Sequence, residues 1–513
     1  MTAELRKTLK ITSSERLALK DDAFLHIFFI VLAIVTGATV GVAIATLKIF
    51  TLLVIPPKMF ALLIIPAAFA FWVALNYPGL ALSAFVFIIY TNLSPVMVSF
   101  WNLPSIAQPI VAFLSVVLLI RVFLFRDEVR GLQLPIILIG MYILIGMFTL
   151  VYAINFTVGY ATLIDGLKDI YFSVLIVAFI QRPKTLKLVI WALLFAGILM
   201  SSVSLYQQFT GTFLNQYWGF GQGITSSTGT GYRLGGPIGD PNYYAMFLVT
   251  LISLAIDRSL HEKSVLLRIL AGWVVAACTL TVLYTYSRGG FIALIGVIIF
   301  FGYRFRRRLR FIPVVLGVSI VFVVFQFLPA KYTDRVSTLL SFFPQSGSNP
   351  LADASIRGRT SQMMAAFQMF LDHPIVGVGI ANYNTNYSAY SRPMGIDRTI
   401  GNRYAHDLYL QIAAERGLLG LSAFAILVFA TFRTLYSAEI QLTRAKMEEY
   451  ASIAAAIGAS LVGYLIASMF LHDSYFRYFW VLIGIAWSLP QIIPVEETDK
   501  SKFSLGQDAI DGI

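Results

Sequence analysis

The chain holds one cysteine, Cys278, and it lies inside an apolar run. A single thiol excludes an intramolecular disulfide, a cysteine-rich metal site and a thiol framework. Charge is scarce as well: 12% of the residues are charged and 58% are hydrophobic, with a mean hydropathy of +0.78. That balance excludes a soluble domain and points to an integral membrane protein with many spans. Nucleotide-binding loops are missing too. Neither Gly235–Gly236 nor Gly289–Gly290 matches a Walker loop or a dinucleotide fingerprint, and no RNA- or DNA-binding motif is present. The net charge of +12 therefore does not indicate nucleic acid. It sits mostly in short loops between spans, where it reads as topology and as contact with anionic membrane lipids. A cleavable signal peptide is not evident: residues 1–22 are polar and mixed in charge, and the first apolar run continues too long.

Apolar runs bounded by charge, proline or glycine dominate what remains. They fall near 23–47, 59–75, 78–91, 107–125, 134–152, 166–180, 186–208, 242–257, 266–285, 289–303, 311–329, 412–432, 450–470 and 476–493. The pattern predicts an all-α, polytopic transmembrane helix bundle of about 12–14 spans, a few shorter than the roughly 20 residues a perpendicular helix needs.

Basic residues orient the bundle. Five loops carry them: Arg126 and Arg130, with Arg121 close by; Arg182, Lys184 and Lys187; Arg258, Lys263 and Arg268; Arg304 to Arg310; and Arg433, Arg444 and Lys446. All five fall on the side of the basic N-terminus, which the positive-inside rule makes cytoplasmic. The chain then divides into a cytoplasmic segment 1–22, spans over 23–208, an external loop 209–241, and central spans over 242–329. A large external loop 330–405, C-terminal spans over 406–493 and a cytoplasmic tail 494–513 complete it. The large loop is far longer than a connector and is expected to be partly helical. Ala354 to Asp372 reads as an amphipathic helix with Met363, Ala366, Phe367 and Phe370 on one face, ended by His373-Pro374. Gly377, Gly379 and Asn382 then mark a turn.

The stretch from Arg403 to Leu421 joins that loop to a span, so His406 stands at a membrane surface at the mouth of a helix. His406, Leu410, Ala413 and Gly417 share a face at helical spacing, and the small residues would admit another helix beside the imidazole. An ionisable group there is costly unless paired or facing water. The plain alternative is an interfacial histidine near headgroups.

External positive charge opposes the topology rule, yet Arg233, Arg288, Arg335, Arg357, Arg359, Arg392, Arg398 and Arg403 all lie outside, with Lys331 the main exception. Arginine binds phosphate through a planar fork of donors and suits a pyrophosphate. Arg233, Arg288, Arg357 and Arg359 also neighbour glycines, where backbone can approach a ligand. The alternative is that they snorkel to headgroups or pair with Asp240, Asp334 or Asp372. Asp240-Pro241-Asn242 reads as a cap opening the next span. His373 and His406 are not at metal-ligand spacing, so no metal is expected.

In order along the chain, Arg233 with Gly239-Asp240-Pro241-Asn242, Ser287-Arg288-Gly289-Gly290, and Asp372-His373-Pro374 with Gly377-Val378-Gly379 form a set. His406 with Tyr409-Leu410, Glu415 and Gly417-Leu418-Leu419-Gly420 closes it. The set resembles the O-antigen ligase and polymerase superfamily over about residues 230–435. One departure is Asp407, which stands where that family usually has Asn; it could raise the basicity of His406 or cap the helix. The resemblance implies a GT-C-like membrane glycosyltransferase with a large periplasmic loop. Its donor would be a glycan on undecaprenyl pyrophosphate and its acceptor a glycan or a lipid. It would work in the bacterial inner membrane, beside proteins of polysaccharide assembly.

By that resemblance the essential residues are His406, Arg233 and one of Arg357 or Arg359. Arg288, Asp407, Tyr409, Asn242 and Arg403 complete a substrate-binding set. No acidic cluster for magnesium stands outside, so a metal-independent, cofactor-free inverting transfer is expected. Lipopolysaccharide ligation and exopolysaccharide polymerisation are both open. The rivals are a transporter of a small anion such as bicarbonate, which would place its charges near the bilayer midplane, and a non-catalytic scaffold of an envelope assembly.

Overall fold

The computed structural model describes residues 69–225, 231–305, 354–396, 403–472 and 477–493. The spans expected at 23–47 and 311–329, most of that at 59–75, both chain ends and the first part of the long loop lie outside these residues.

Within them the chain is helical apart from one hairpin. The elements are α1 (Phe69–Asn76), then α2 (Pro78–Tyr90), α3 (Leu93–Trp101), α4 (Ala107–Phe123), α5 (Gln133–Leu150), α6 (Phe156–Phe179), α7 (Pro183–Thr210), β1 (Gln222–Thr225), β2 (Tyr232–Gly236) and α8 (Pro241–His261). There follow α9 (Val265–Tyr284), α10 (Arg288–Phe305), α11 (Ala354–Asp372), α12 (Tyr383–Met394), α13 (Leu408–Arg444), α14 (Glu448–Ala467) and α15 (Arg477–Ser488).

Local chemistry sets the helix starts. Pro78, Pro183 and Pro241 occupy the first turns of α2, α7 and α8, where the missing N–H would have had no helical partner. Asn155, Asp240, Ser264 and Asp407 each accept a backbone N–H from the turn they open. The Asn155 cap starts α6 at Phe156, well before the apolar run expected from 166.

Among the described residues, α5, α7, α8, α9, α13 and α14 with its extension to Phe470 are long and apolar enough to cross a membrane. α1 and α2, bent by 111°, are apolar and long enough only as a pair, which makes them a broken span or a re-entrant loop. The fold is all-α and polytopic. α8 is innermost: 83% of its apolar window is buried, against 33% for α9. It packs on α9, α10 and α14. Small residues allow the approach. A Cβ on Gly290 of α10 would lie 2.5 Å from the Cβ of Ala245 on α8, and one on Gly463 of α14 would lie 2.7 Å from Val297. Close contact of this kind holds helices together in lipid, where apolar burial alone drives little.

Alternate helix ends gather into two polar layers. At one end, fully buried Arg258 of α8 pairs with Asp257 and with Glu449 of α14, each at 2.7 Å. Lys187 of α7 bridges Glu262 and Glu449, each at 2.9 Å. Each charge in this layer faces an opposite one, as burial demands. This is also the end at which the basic loops were expected to gather.

At the other end the long helix α13 is interrupted. Gly417 has φ 60° and ψ −158°, a conformation open essentially to glycine alone. The segment 374–381 fills the break. The N–H groups of Leu418 and Leu419 donate to the carbonyls of Pro374 and Ile375, and those of Val378 and Gly379 donate to Ala414 and Glu415. The Glu415 carboxylate accepts from the N–H groups of Ala381 at 2.9 Å and Tyr383 at 3.3 Å. Residues 408–416 then make a stub of about 13 Å and 418–444 a rod of about 40 Å. The rod alone can cross a hydrocarbon layer of roughly 30 Å.

Two expectations are corrected here. The stretch 403–421 is not one helical face: His406 precedes the helix, and Gly417 admits loop backbone instead of a neighbouring helix. α11 has its expected bounds, but its buried face is Ser361, Gln362, Ala365, Ala366 and Met369. Of the predicted face of Met363, Ala366, Phe367 and Phe370, only Ala366 is fully buried, and Phe367 is 48% exposed. The small side of α11 is the one turned inward because Tyr383 and Tyr387 of α12 fill the space against it.

Candidate active site

The starts of α8, α10 and α13 meet at the interrupted end. Each presents N–H groups without helical partners and a partial positive charge, an arrangement that favours an anion.

The strand β2 delivers Arg233. Its Nε donates to the Thr285 carbonyl, at the end of α9, at 2.9 Å, and its Nη2 donates to Asn242 Oδ1 at 3.0 Å. The guanidinium is thus oriented from two helices. Asn242 holds Arg233, while Asp240 caps α8 by accepting from the N–H groups of Asn242 at 2.7 Å and Tyr243 at 3.2 Å. The cap read from Asp-Pro-Asn is present.

Ser287 opens α10, its Oγ accepting from the Gly290 N–H at 3.2 Å. Half-buried Arg288 is the first residue of that helix. The glycines beside these arginines are closely packed. A Cβ on Gly289 would lie 2.9 Å from the Cβ of Phe470, and one on Gly236 would lie 2.4 Å from the Tyr244 ring.

His406 lies immediately before α13, with φ +51°. The next residue, Asp407, caps the helix through its Oδ1, which accepts from the Leu410 N–H at 2.8 Å. Burial pushes the Asp407 carboxyl up, opposed by its bonds from backbone N–H groups. Of the two roles open to Asp407, capping is the one seen. The carboxylate that favours a charge on His406 is Asp240. Asp407→Ala is expected to cost about 1 kcal/mol in detergent unfolding, and Asp407→Asn to restore most of it.

Burial is the main force on the His406 imidazole, and Arg359, then His472 and Arg403, act in the same direction. Against the weaker pull of Asp240, its pKa falls to about 3. The ring is therefore neutral above that value, with its lone pair free. Of the Arg357/Arg359 pair on α11, both half-buried, Arg359 is the guanidinium whose charge acts on His406. Arg403 acts on it too, and its own N–H donates to Asn384 Oδ1 of α12 at 3.0 Å. The Tyr409 hydroxyl donates to the Leu465 carbonyl at 2.7 Å, tying α13 to α14.

The structure adds residues that sequence reasoning missed. His472 follows α14, and its ring meets His406 edge to face, with centroids 5.3 Å apart and planes at 89°. Tyr404 stacks flat on His472 at 4.1 Å and 5°. The Tyr243 hydroxyl donates to the His472 carbonyl at 3.0 Å. A signal was available. His472 is one of only five histidines, and it stands in the short break between the runs 450–470 and 476–493, on the same side as His406.

The site thus closes through contacts. Arg233 is held by Asn242, and Asn242 shares the first turn of α8 with Tyr243. Tyr243 holds His472, which meets His406. Arg359 and Arg403 act on His406 from α11 and the preceding loop. Among the described residues no group of three or more His, Cys, Asp or Glu is placed to hold a metal ion.

No curated protein matches the chain. Residues 273–425 match the O-antigen ligase family. That stretch contains Arg288, Arg357, Arg359, Arg403, His406, Asp407 and Tyr409; Arg233, Asn242 and His472 lie outside it.

Proposed function

We propose, on the premise that this chain is a member of the O-antigen ligase/polymerase superfamily through residues 273–425, that it transfers glycan from an undecaprenyl-pyrophosphate donor to an acceptor hydroxyl. The reaction takes place at the periplasmic face of the bacterial inner membrane. The observation that carries this reading is the junction of a neutral imidazole with guanidinium groups at three converging helix starts.

In the mechanism, the acceptor O–H gives its proton to His406 as its oxygen attacks the anomeric carbon. The bond from that carbon to the pyrophosphate breaks, and the electron pair leaves on the phosphate oxygen. Arg233 and Arg359, with Arg288 and Arg403 nearby, stabilise the charge that grows there. A single displacement of this kind inverts the anomeric centre, and the positive charge it needs comes from the arginines without a metal ion.

An apolar cavity of about 390 Å³, lined by Tyr409, Leu421, Phe424, Phe429, Phe432 and Leu465, supports a lipid-linked donor. It begins at Tyr409, one helical turn past His406, and runs along the membrane rod of α13, where a polyprenyl chain would lie. A transporter is disfavoured by the placement of the candidate site's charges, which gather at one end of the bundle. The interruption in α13 has its backbone groups taken up by 374–381.

The base must be unprotonated to act, so activity should persist well below pH 6 and fall only as the pH approaches the depressed His406 value. Arg359→Gln removes a charge that opposes protonation. Its acid limb should move to higher pH than that of the wild type; an unmoved limb would separate Arg359 from the base. The choice between ligation and polymerisation is tested by the lipid-linked glycans of a deletion strain. Accumulated full-length polymer indicates a ligase, and accumulated single repeat units indicate a polymerase.

A further inference from the structure

A catalytic histidine is usually oriented through its second ring nitrogen, by a hydrogen bond to a carboxylate or a carbonyl. Among the described residues, His406 lacks that support at Nδ1. Its Nδ1 is buried and has no hydrogen-bond partner among the described residues. Its backbone is also in the left-handed region, φ +51°, which is uncommon for a residue with a side chain although histidine enters it more readily than most. Something other than a hydrogen bond at Nδ1 must set the plane of the ring.

The contact in place is His472. Three rings surround its imidazole: Tyr404 stacked flat at 4.1 Å, His406 edge to face at 5.3 Å, and Tyr243 edge to face at 5.5 Å and 84°. Perpendicular and stacked aromatic pairs of this kind have defined geometry and add stabilisation beyond the area they bury. The backbone of His472 is fixed as well, by the Tyr243 hydroxyl on its carbonyl. Tyr243 in turn lies one residue beyond Asn242, which holds Arg233.

We propose that His472 is a positioning residue for the transfer reaction: clamped between Tyr404 and Tyr243, it fixes the plane of the His406 ring and couples that ring to the arm carrying Arg233. The inference rests on the functional reading above. It deepens that reading by naming a residue outside the family-matched stretch 273–425 on which the base depends. His472 takes no proton from the acceptor and touches no reacting atom. It works through the ring beside it. Burial keeps this imidazole neutral too, with its pKa lowered to about 4, so the pair does not repel near neutral pH.

The test uses the full chain in proteoliposomes, with lipid-linked glycan extracted from membranes of a deletion strain as donor. Release of glycan from the lipid is followed for the wild type, His406→Ala, His472→Ala, His472→Phe and Tyr404→Ala. His472→Ala is expected to lower kcat by about 10- to 100-fold, the scale of a misplaced catalytic group, with donor KM unchanged. Its acid limb should move to higher pH, because the opened clamp admits water to Nδ1 of His406. His472→Phe keeps the three-ring clamp and should recover most of the rate. Tyr404→Ala leaves His472 in place but removes the stacked face, and should lose kcat in the same direction.

Wild-type rates for His472→Ala beside an inactive His406→Ala would overturn the proposal and leave the functional reading standing. An active His406→Ala would overturn that reading itself. If His472→Ala fails to insert, the other two variants decide. A Phe variant as impaired as a loss of the clamp would place the role in the ring nitrogens, against the proposal, and so would a fully active Tyr404→Ala.

Discussion

His406→Ala is expected to lose glycan transfer by about 10²- to 10⁴-fold, the range for removal of a general base, while the protein still inserts and folds. The argument for an intact fold is local. His406 precedes α13, and the cap of that helix is Asp407. Alanine at 406 leaves that cap and the Glu415 anchor in place. The φ of +51° is no easier for alanine than for histidine, so the backbone change is small. Activity is lost because burial and the positive charges of Arg359 and Arg403 keep the imidazole unprotonated, and the other carboxylates nearby are engaged. Asp240 and Asp407 both cap helices. The assay is release of glycan from its lipid in vesicles containing equal amounts of each variant. Retention of more than a tenth of the wild-type rate would remove His406 from the role of base.

Gly417→Ala is expected to abolish transfer by a different route, through the fold of the site. At φ 60° and ψ −158° an alanine carries about 1–3 kcal/mol of backbone strain. Its Cβ would stand 2.3 Å from the carbonyl carbon of Ile375 and 2.6 Å from the nitrogen of Val376. Both are backbone atoms, so no side-chain rotation relieves the clash, and crowding adds a term of about the same size. Segment 374–381 must then leave the break in α13. With it go the four backbone hydrogen bonds across the break and the Glu415 carboxylate bonds to Ala381 and Tyr383. α11 and α12 lose their seat, and with it the placement of Arg359 and Arg403 around His406. Limited proteolysis is the direct measurement. Cleavage between 373 and 396 should be rapid in the variant and slow in the wild type, with the membrane rods unaffected. A protease-resistant, active Gly417→Ala would contradict the account of the interruption.

Both variants bear on what the sequence alone reveals. His406 could be found because an ionisable residue at the end of an apolar run is costly and hence conspicuous. The Asp240 cap and the bounds of α11 were legible because capping and proline chemistry act within a few residues. The inward face of α11 was not. In a soluble protein the apolar side of a helix marks the core, but a membrane protein also offers lipid to apolar side chains. Exposed Phe367 and buried Ser361 reflect that loss of contrast. The sequence places Gly417 in a helix because it falls at helical spacing from His406, Leu410 and Ala413. Only the positive φ and the docked loop reveal the interruption. Glu415 and the glycines at 377, 379 and 417 were seen as a motif, but their work is to join loop to helix. His472 lies far along the chain from His406, and no spacing rule connects residues that meet only when helix ends converge.

The most direct test is where the site stands relative to the membrane. Tyr404 is 43% exposed and its ring lies on His472. Cys278, the single native thiol, is buried. A Tyr404→Cys variant is treated, in intact spheroplasts, with a maleimide that cannot cross the membrane. Labelling at 404 without permeabilisation is the expected result. Labelling that appears only after the membrane is opened would put the base and its arginines on the cytoplasmic side and contradict it.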